Sequence, residues 1–460
     1  MSAERERVEA GALERAAAQA VERALEAGAA QADAYCEDGS ECTVRVYEGT
    51  VESLTEAGSH GIGVRALTGD GRSGYAYGSD LGERGLAAIA GAAHESATVT
   101  DRDQSVGLPD ECGRADVGEL SSPDFGSWSA ERKVNIALAV ERAARERDPL
   151  VSNVEDTVYS DGKATIALAN SAGFCGSFQR TQCYAYSYAF AGTGSDLMTG
   201  VGVATGRDPG DLDAEAIGHE AADRALQLHG AEQPSSRRCP VVLDSFVAAH
   251  FAAIVGSRLS AEAVQRGRSL FAGKEGEPVA SKAFGLLDDG TAHGGLATQP
   301  FDDEGSPTRG TELVQGGNLK TYLFDSRSAR RVGRESTGSA KRGSYRAAPG
   351  VGCSNLIVET GDRGLDDLIA SAGDGVYVTA VKGLHSGVNA ITGQFSVGAT
   401  GRLIEGGVLG RPLRGFTIAS DLLSMLAGVE AAGNEARWLP FGGSVRSAPL
   451  LIAEMAVAGS

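Results

Sequence analysis

The chain has 460 residues, of which 42% are hydrophobic and 22% are charged, and its formal net charge is -19. A chain of this length exceeds what one hydrophobic core usually supports, so two or three domains are expected, and its hydrophobic content excludes an intrinsically disordered protein. The acidic charge argues against binding to a nucleic-acid backbone, which depends on Lys and Arg.

Targeting signals and cysteine content indicate the cellular compartment. No run of 18 apolar residues occurs, and the charged N-terminal segment lacks the apolar region of a secretory signal, so the sequence predicts a cytoplasmic protein without a membrane span. The seven cysteines never form a CxxC pair, which favours reduced thiols over disulfides or a cysteine metal site.

The first half of the chain shows helix, strand and helix patterns in an order that occurs twice. Apolar spacing predicts helices over Val8–Ala27, Leu81–Ala97, Ser129–Arg147 and Asp211–Leu228. Short β-branched or alternating runs between Gly, Asp and Ser predict strands over Ala32–Cys36, Cys42–Tyr47, Val51–Ala57, Gly61–Leu67, Arg72–Tyr77, Val151–Ser160, Lys163–Asn170, Gly173–Ala191 and Asp196–Thr205. This half is therefore interpreted as a helix and antiparallel-sheet domain with a duplicated α-β-α unit.

The second half follows a polar linker, Gly230–Arg238. A short strand, Cys239–Leu243, precedes a helix that Asp244 or Ser245 can cap and that ends near Leu259. From Phe284 onward, short apolar runs alternate with Gly-rich turns, and helical patterns interrupt them at Leu365–Ser371 and Ser420–Ala432. The predicted class is α+β, with an N-terminal domain over residues 1–230 and a β-rich C-terminal domain over residues 239–460.

Common catalytic motifs are missing from the sequence. The seven His residues stand at least nine positions apart, so no helix carries the pair of imidazoles, one turn apart, that grips zinc in many hydrolases. There is no GxSxG elbow, no Walker GxxxxGK[ST] loop and no GxGxxG after a strand. A Ser, His and Asp triad stays open, because its members need be neighbours only in space.

Three other features have two readings each. The FDDEG segment places Asp302, Asp303 and Glu304 side by side, which suits either general acid-base work or, the favoured reading, an acidic turn that binds backbone amides. His250, in an apolar helix, is more often a hydrogen-bonded core residue than a catalyst. The basic stretch Arg327–Arg346 is favoured as a solvated or interface loop over a surface that grips carboxylates.

An ordered series of segments resembles the TldD/PmbA family, peptidases also described as modulators of DNA gyrase. These segments are AEAVQRGRSLFAGKEGEPVAS (261–281), FDDEGSPT (301–308), VQGGNLKTYLFDSRSA (314–329), STGSAKR (336–342), GVYVT (375–379), ITGQFSVGATGRLIEGG (391–407) and APLLIAEMAVAG (448–459). The resemblance covers roughly the last 220 residues, and the layout of the first half is compatible with it. It implies a zinc-bearing subunit paired with a zinc-free one around a chamber that admits unfolded or short peptides.

The resemblance also implies which of the two subunits this chain is. The zinc subunit carries HExxxH on the helix that corresponds to Ser245–Leu259 and a thiolate near the C-terminus, whereas here the helix reads His250, Phe251, Ala252, Ala253, Ile254, Val255 and the stretch 432–449 has no Cys. A zinc-free, TldE-type subunit with no catalytic residue, metal or cofactor of its own is therefore expected, with zinc in a TldD-like partner of a cytoplasmic heterodimer.

The residues expected to contact the chamber or the partner are His250, Asp302, Asp303, Glu304, Lys341 and Arg342. Two alternatives stay open: a self-sufficient amide hydrolase acting on a small molecule or peptide as a homodimer, and a scaffold protein without hydrolysis.

Overall fold

The computed structural model describes residues 2–389 and 391–459. The helices and strands of the N-terminal half are α1 (Ser2–Glu26), β1 (Gln31–Tyr47), β2 (Thr50–Leu67), β3 (Ser73–Gly78), α2 (Glu83–Thr98), α3 (Ala130–Glu146), β4 (Val151–Asn170), β5 (Cys175–Ala191), β6 (Met198–Gly206) and α4 (Ala214–Leu226). The six strands form one antiparallel sheet in the order β3-β2-β1-β4-β5-β6. The predicted unit of helix, strands and helix is thus present twice, and the copies meet where β1 pairs with β4.

The strands are longer and fewer than the sequence predicted. β1, β2 and β4 each run through positions where glycine or a polar pair suggested a turn. At Gly39 a Cβ atom would lie 3.1 Å from the Lys163 carbonyl oxygen, and at Gly63 it would lie 1.9 Å from the Tyr75 hydroxyl. These glycines allow a close approach inside the sheet and do not end a strand.

The helices cover one face of this sheet, which follows from the two-residue period of its strands. Helices α1 and α2 pack on Ala32, Ala34 and Cys36, whereas α3 and α4 belong to the core around Cys42 and Val44. Odd-numbered residues of β1 lie on the opposite face, and Tyr35 there packs with Phe301 and Tyr345 of the C-terminal half.

The C-terminal half contains many short elements. They are β7 (Arg237–Leu243), α5 (Ser245–Arg258), α6 (Ala261–Gln265), β8 (Leu286–Asp289), β9 (Gly310–Gln315), β10 (Asn318–Leu319), α7 (Ser326–Arg330), β11 (Ala340–Lys341), β12 (Gly350–Val351), β13 (Asn355–Val358), α8 (Leu365–Ala372), β14 (Gly375–Lys382), α9 (Leu384–Gly387), β15 (Gln394–Glu405), β16 (Val408–Asp421), α10 (Leu422–Ala427), β17 (Val429–Ala432), β18 (Arg437–Leu439), β19 (Ser444–Ser447) and β20 (Leu450–Ala458). The predicted helix over Ser420–Ala432 is confined to α10 and gives way to β17.

Two sheets organise this half around α5. One has the order β10-β9-β8-β13-β19-β18, and the other has the order β16-β15-β14-β7-β20-β17, with β16 also paired to β20. That extra pairing closes five strands into a ring. Helix α5 contacts β13 and β19 of the first sheet and β7 and β14 of the second, and it is apolar almost all round, as expected for a buried helix.

The predicted mixed α+β class is therefore confirmed. Within residues 2–389 and 391–459, no helix combines the length and the apolar character that a membrane span requires.

Candidate functional site

The start of helix α5 is fixed by a capping residue with three partners. The Asp244 side chain accepts a hydrogen bond from the Phe246 backbone N–H at 2.9 Å, as an N-cap residue does. Its carboxylate also binds the Arg224 guanidinium at 3.1 Å and the Tyr377 hydroxyl at 2.7 Å. The helix that carries His250 is therefore tied to α4 of the N-terminal half and to β14.

The surroundings of the His250 ring favour its neutral form. Its Nδ1–H donates to the Phe246 carbonyl oxygen at 2.9 Å, since a carbonyl can only accept. The ring centroid lies 3.7 Å from that of Phe441 and 5.1 Å from that of Phe246. Burial among these rings lowers the His250 pKa. The second ring nitrogen, Nε2, therefore carries a lone pair, and it has no hydrogen-bond partner in the described part of the chain.

His250 lines a cavity of about 530 Å³ between the two halves of the chain. Strands β5 and β6 and helix α4 form one wall, and α5 and strands β14, β15 and β16 form the other. The larger apolar or aromatic residues of the lining are Tyr188, Leu197, Met198, Val201, Leu228, Phe246, Val381, Phe416 and Phe441. Its cationic residues are Arg224, Lys382 and Arg414. The cavity can therefore take an apolar group beside positive charge.

This site does not fit a zinc ion. Phe251 and Val255 occupy the positions of the Glu and of the second His in HExxxH. Both are buried in the core, at 2% and 0% exposed, and the Phe251 ring centroid lies 4.9 Å from that of Phe395. His250 alone supplies one imidazole, and its neighbours are phenylalanines. Among residues 2–389 and 391–459, no three His, Cys, Asp or Glu side chains converge as metal ligands. Zinc in proteins takes three or four such ligands.

The acidic segment predicted as a candidate contact is a buried turn. Asp302 accepts hydrogen bonds from the backbone N–H groups of Glu304, Ser306 and Ala340, at 2.9 to 3.0 Å. Burial, together with the charge of Glu304, raises the pKa of Asp302. These contacts match an acidic turn that binds backbone amides.

The acids and Arg342 also form an ion-pair network between the two halves of the chain. Arg65 binds Asp33 at 2.5 Å and Glu304 at 2.8 Å, and Arg342 binds the other Asp33 oxygen at 2.7 Å. Arg342 also donates from its backbone N–H to the Asp303 carboxylate at 2.6 Å and from Nε to the Asp303 carbonyl at 3.0 Å. Since the side chains of Arg342 and Asp33 are both 0% exposed, the network ties β1 and β2 to the C-terminal half.

Three further arginines of the basic stretch are paired with carboxylates of the chain. Arg327 and Arg331 bind Asp103 at 2.7 and 2.6 Å, and Arg330 binds Asp110 at 2.9 Å, so this stretch holds the long loop between α2 and α3. Burial lowers the pKa of Lys341, and the nearby carboxylate of Asp303 opposes that shift. Contact between a peptide or a partner subunit and His250, Asp302, Asp303, Glu304, Lys341 or Arg342 remains a prediction.

Sequence reasoning missed most residues of the cavity. Phe441 lies in the loop after β18, Arg224 lies in α4 and Lys382 ends β14, and none belongs to a motif with His250. The aromatic residues of the segment WLPFGG, which ends at Gly443, were the only local hint. The tertiary fold alone brings these side chains to one cavity.

Comparison with known proteins identifies the class of protein that this fold and site belong to. Residues 32–97, 123–228 and 236–459 match domain 1, the central domain and the C-terminal domain of PmbA/TldA metallopeptidases. The chain is 26% identical to a metalloprotease PmbA homologue of Haemophilus influenzae over 97% of this chain and 96% of that protein.

Solved structures show the same fold. A Thermotoga maritima protein described as a modulator of a DNA gyrase has a TM-score of 0.88 and 26% identity, covering 97% of this chain and 100% of that one. TldE from Thermococcus kodakarensis has a TM-score of 0.87 and 21% identity, covering 95% and 99%, which shows likeness of fold alone. The chain is therefore a member of a metallopeptidase family. It belongs to the TldD/PmbA family, as its sequence segments predicted.

Proposed function

We propose that this chain is the zinc-free subunit of a heteromeric metalloprotease of the TldD/PmbA family, and that it forms part of the chamber that admits unfolded or short peptides. A zinc-bearing family member supplies the metal and the general base. The observation that carries the proposal is the surroundings of His250, where phenylalanines and core side chains occupy the positions that zinc ligands and a catalytic carboxylate require.

A second feature supports a role in holding extended peptides. The sheet of the N-terminal half has a groove of about 230 Å³ lined by residues of β1, β2, β4 and β5. Small residues, among them Gly39, Ala57, Gly162 and Ala164, leave room above the strands. Polar and charged side chains of its lining offer hydrogen bonds to a peptide backbone without selecting one sequence. Such a surface suits a wall that many peptides cross.

Metal analysis combined with co-expression tests the proposal. The full chain is purified alone and together with a zinc-bearing family member from the same genome, and zinc is measured by mass spectrometry in both samples. We expect less than about 0.1 zinc per chain in the first sample, because one imidazole cannot hold the ion tightly, and about one zinc per heteromer in the second. A stoichiometric metal bound by the chain alone would overturn the proposal.

Hydrolysis separates a subunit from an independent enzyme. An unfolded, casein-derived peptide mixture is incubated with each protein alone and with the complex, and new amino termini are counted. Cleavage by the complex alone is expected. The matched control is a complex whose zinc subunit has the Glu of HExxxH replaced by Gln, which should assemble without cleaving. Cleavage by the isolated chain in the presence of a chelator would favour a self-sufficient hydrolase, and a complex that never cleaves would favour a scaffold.

A further inference from the structure

The cavity beside His250 has an unusual balance of charge for so acidic a chain. The chain carries a net charge of -19, yet among the described residues that line the cavity there are three cations and neither Asp nor Glu. A concave site of this kind attracts anions, because the low dielectric of its walls strengthens the field of the lining charges.

Two of these cations already have carboxylate partners. Arg224 binds Glu220 and Asp244, each at 3.1 Å, and Arg414 lies 3.7 Å from Asp196. The ammonium group of Lys382, at the end of β14, has neither an ion pair nor a hydrogen bond with any described residue. Lys382 is therefore the cation of this cavity that is left to bind a ligand.

Much of the remaining lining is apolar, and the cavity has a suitable size. A volume of about 530 Å³ falls within the roughly 300–1,000 Å³ of small-ligand pockets. Phe441, Phe246 and Phe416 give aromatic walls, and the exposed fractions of Tyr188 and Leu197, 39% and 42%, show that the apolar lining reaches the opening. Burial of an apolar group against such walls is favourable by the hydrophobic effect.

His250 adds one polar group that is not charged. Its Nδ1–H is used by the Phe246 carbonyl, so Nε2 can only accept a hydrogen bond. A backbone N–H of a peptide is the donor that fits this lone pair, next to an apolar side chain in the aromatic walls.

We propose that this cavity binds the C-terminal residue of a peptide, with its apolar side chain packed against the touching rings of Phe246 and Phe441, whose centroids lie 4.9 Å apart, and its α-carboxylate at Lys382. The binding requires no bond to form or break. This inference rests on the proposed function for the nature of the ligand, and it adds a preference that the chamber itself does not supply: peptides that end in a large apolar residue are held by this subunit.

Calorimetric titration of the full chain without a partner tests the inference. The probes are acetyl-Ala-Ala-Phe with a free carboxylate, the same peptide as its C-terminal amide, and acetyl-Ala-Ala-Ala with a free carboxylate. The amide should bind about fivefold more weakly, the upper range for a partly exposed ion pair. Loss of the phenyl group should weaken binding at least about tenfold. Equal affinity of acid and amide, or no heat from the acid at millimolar concentration, would overturn the inference.

Matched lysine variants assign the carboxylate to its partner. Lys382→Gln should bind the acid and the amide equally, whereas Lys282→Gln, at another exposed lysine that does not line this cavity, should keep the fivefold difference. If Lys382→Gln also keeps that difference, the carboxylate lies elsewhere and the assignment fails. Even if a variant does not fold, the ratio of the affinities of the unmodified chain for the acid and the amide still shows whether the carboxylate contributes to binding.

One further probe and the earlier experiment separate the possible failures. Acetyl-Phe alone tests whether a free apolar acid is the ligand, since affinity equal to that of the peptide would refute a peptide-specific role for His250. The titrations use the chain alone, so they can fail while the heteromer still assembles and cleaves. Conversely, the chain can bind these peptides even if no zinc-bearing partner joins it.

Discussion

The ion-pair network between the two halves of the chain predicts the effect of one substitution in detail. In Arg342→Leu the guanidinium that binds Asp33 at 2.7 Å is lost, and both side chains are 0% exposed. Removing one partner of a buried pair typically costs about 3–5 kcal/mol, because the remaining charge is left uncompensated.

The expected magnitude lies at the lower end of that range. Asp33 keeps one cation, Arg65, at 2.5 Å, so its charge is only partly uncompensated. We therefore expect the free energy of unfolding to fall by about 3 kcal/mol. For a 460-residue chain the unfolding entropy is about 1 kcal/mol per degree, so the thermal midpoint should fall by roughly 3 °C if the chain unfolds as one unit.

Differential scanning calorimetry measures this shift, and a neighbouring arginine supplies the control. Arg346 is exposed, and among the described residues its guanidinium contacts only Tyr345, through hydrogen bonds to the hydroxyl at 3.2 Å and a cation–π contact 5.3 Å from the ring centroid. Arg346→Leu should change the unfolding free energy by less than about 0.5 kcal/mol. If the Arg342→Leu midpoint falls no further than that of Arg346→Leu, the network does not join the two halves as argued.

Three other substitutions test the site and the sheet. Burial lowers the pKa of His250, so its protonation opposes folding, and the contribution of this group to stability is lost as pH falls from the ordinary histidine value of about 6.5 towards the lower folded-state pKa. Urea unfolding should therefore show His250→Phe gaining stability relative to the unmodified chain at pH 5 compared with pH 8, and equal differences at both pH values would contradict this. Phe251→Glu, which restores one residue of HExxxH, should destabilise the chain by at least about 3 kcal/mol in the same assay and bind no zinc, because position 251 is 2% exposed in the core. Gly63→Ala should lower the free energy of unfolding by about 1–3 kcal/mol, because its Cβ would lie 1.9 Å from the Tyr75 hydroxyl. At Gly58 the nearest atom is 3.8 Å away, so Gly58→Ala should be tolerated. Equal unfolding midpoints for the two variants would show that the sheet adapts.

Local pattern was enough to predict the class of fold. Helical spacing and β-branched runs depend on near neighbours in the chain, so α2, α3 and α4 begin and end within a few residues of their predicted bounds. The same local reasoning predicted two shorter strands in place of each of the strands β1, β2 and β4. It treated glycine as a turn signal, and whether a glycine ends a strand or lets another group approach depends on atoms far away in the sequence.

The candidate site could be predicted only in outline from the sequence. The order of the segments that resemble the family indicated that family, and the missing ligands on α5 indicated that this chain differs from a zinc subunit. Neither observation could reveal that Phe441 covers the His250 ring or that Lys382 opens onto the same cavity.

The sequence by itself determined the mixed α and β architecture, the repeated helical and sheet unit and the family, because each depends on residues close together or on the order of segments. The tertiary structure alone decided what the singled-out residues do. Arg65 and Glu304 are 239 positions apart, yet they form a buried ion pair. His250 lines a cavity whose other residues come from both halves of the chain. Such contacts depend on how complete sheets pack against each other, and no local spacing records that.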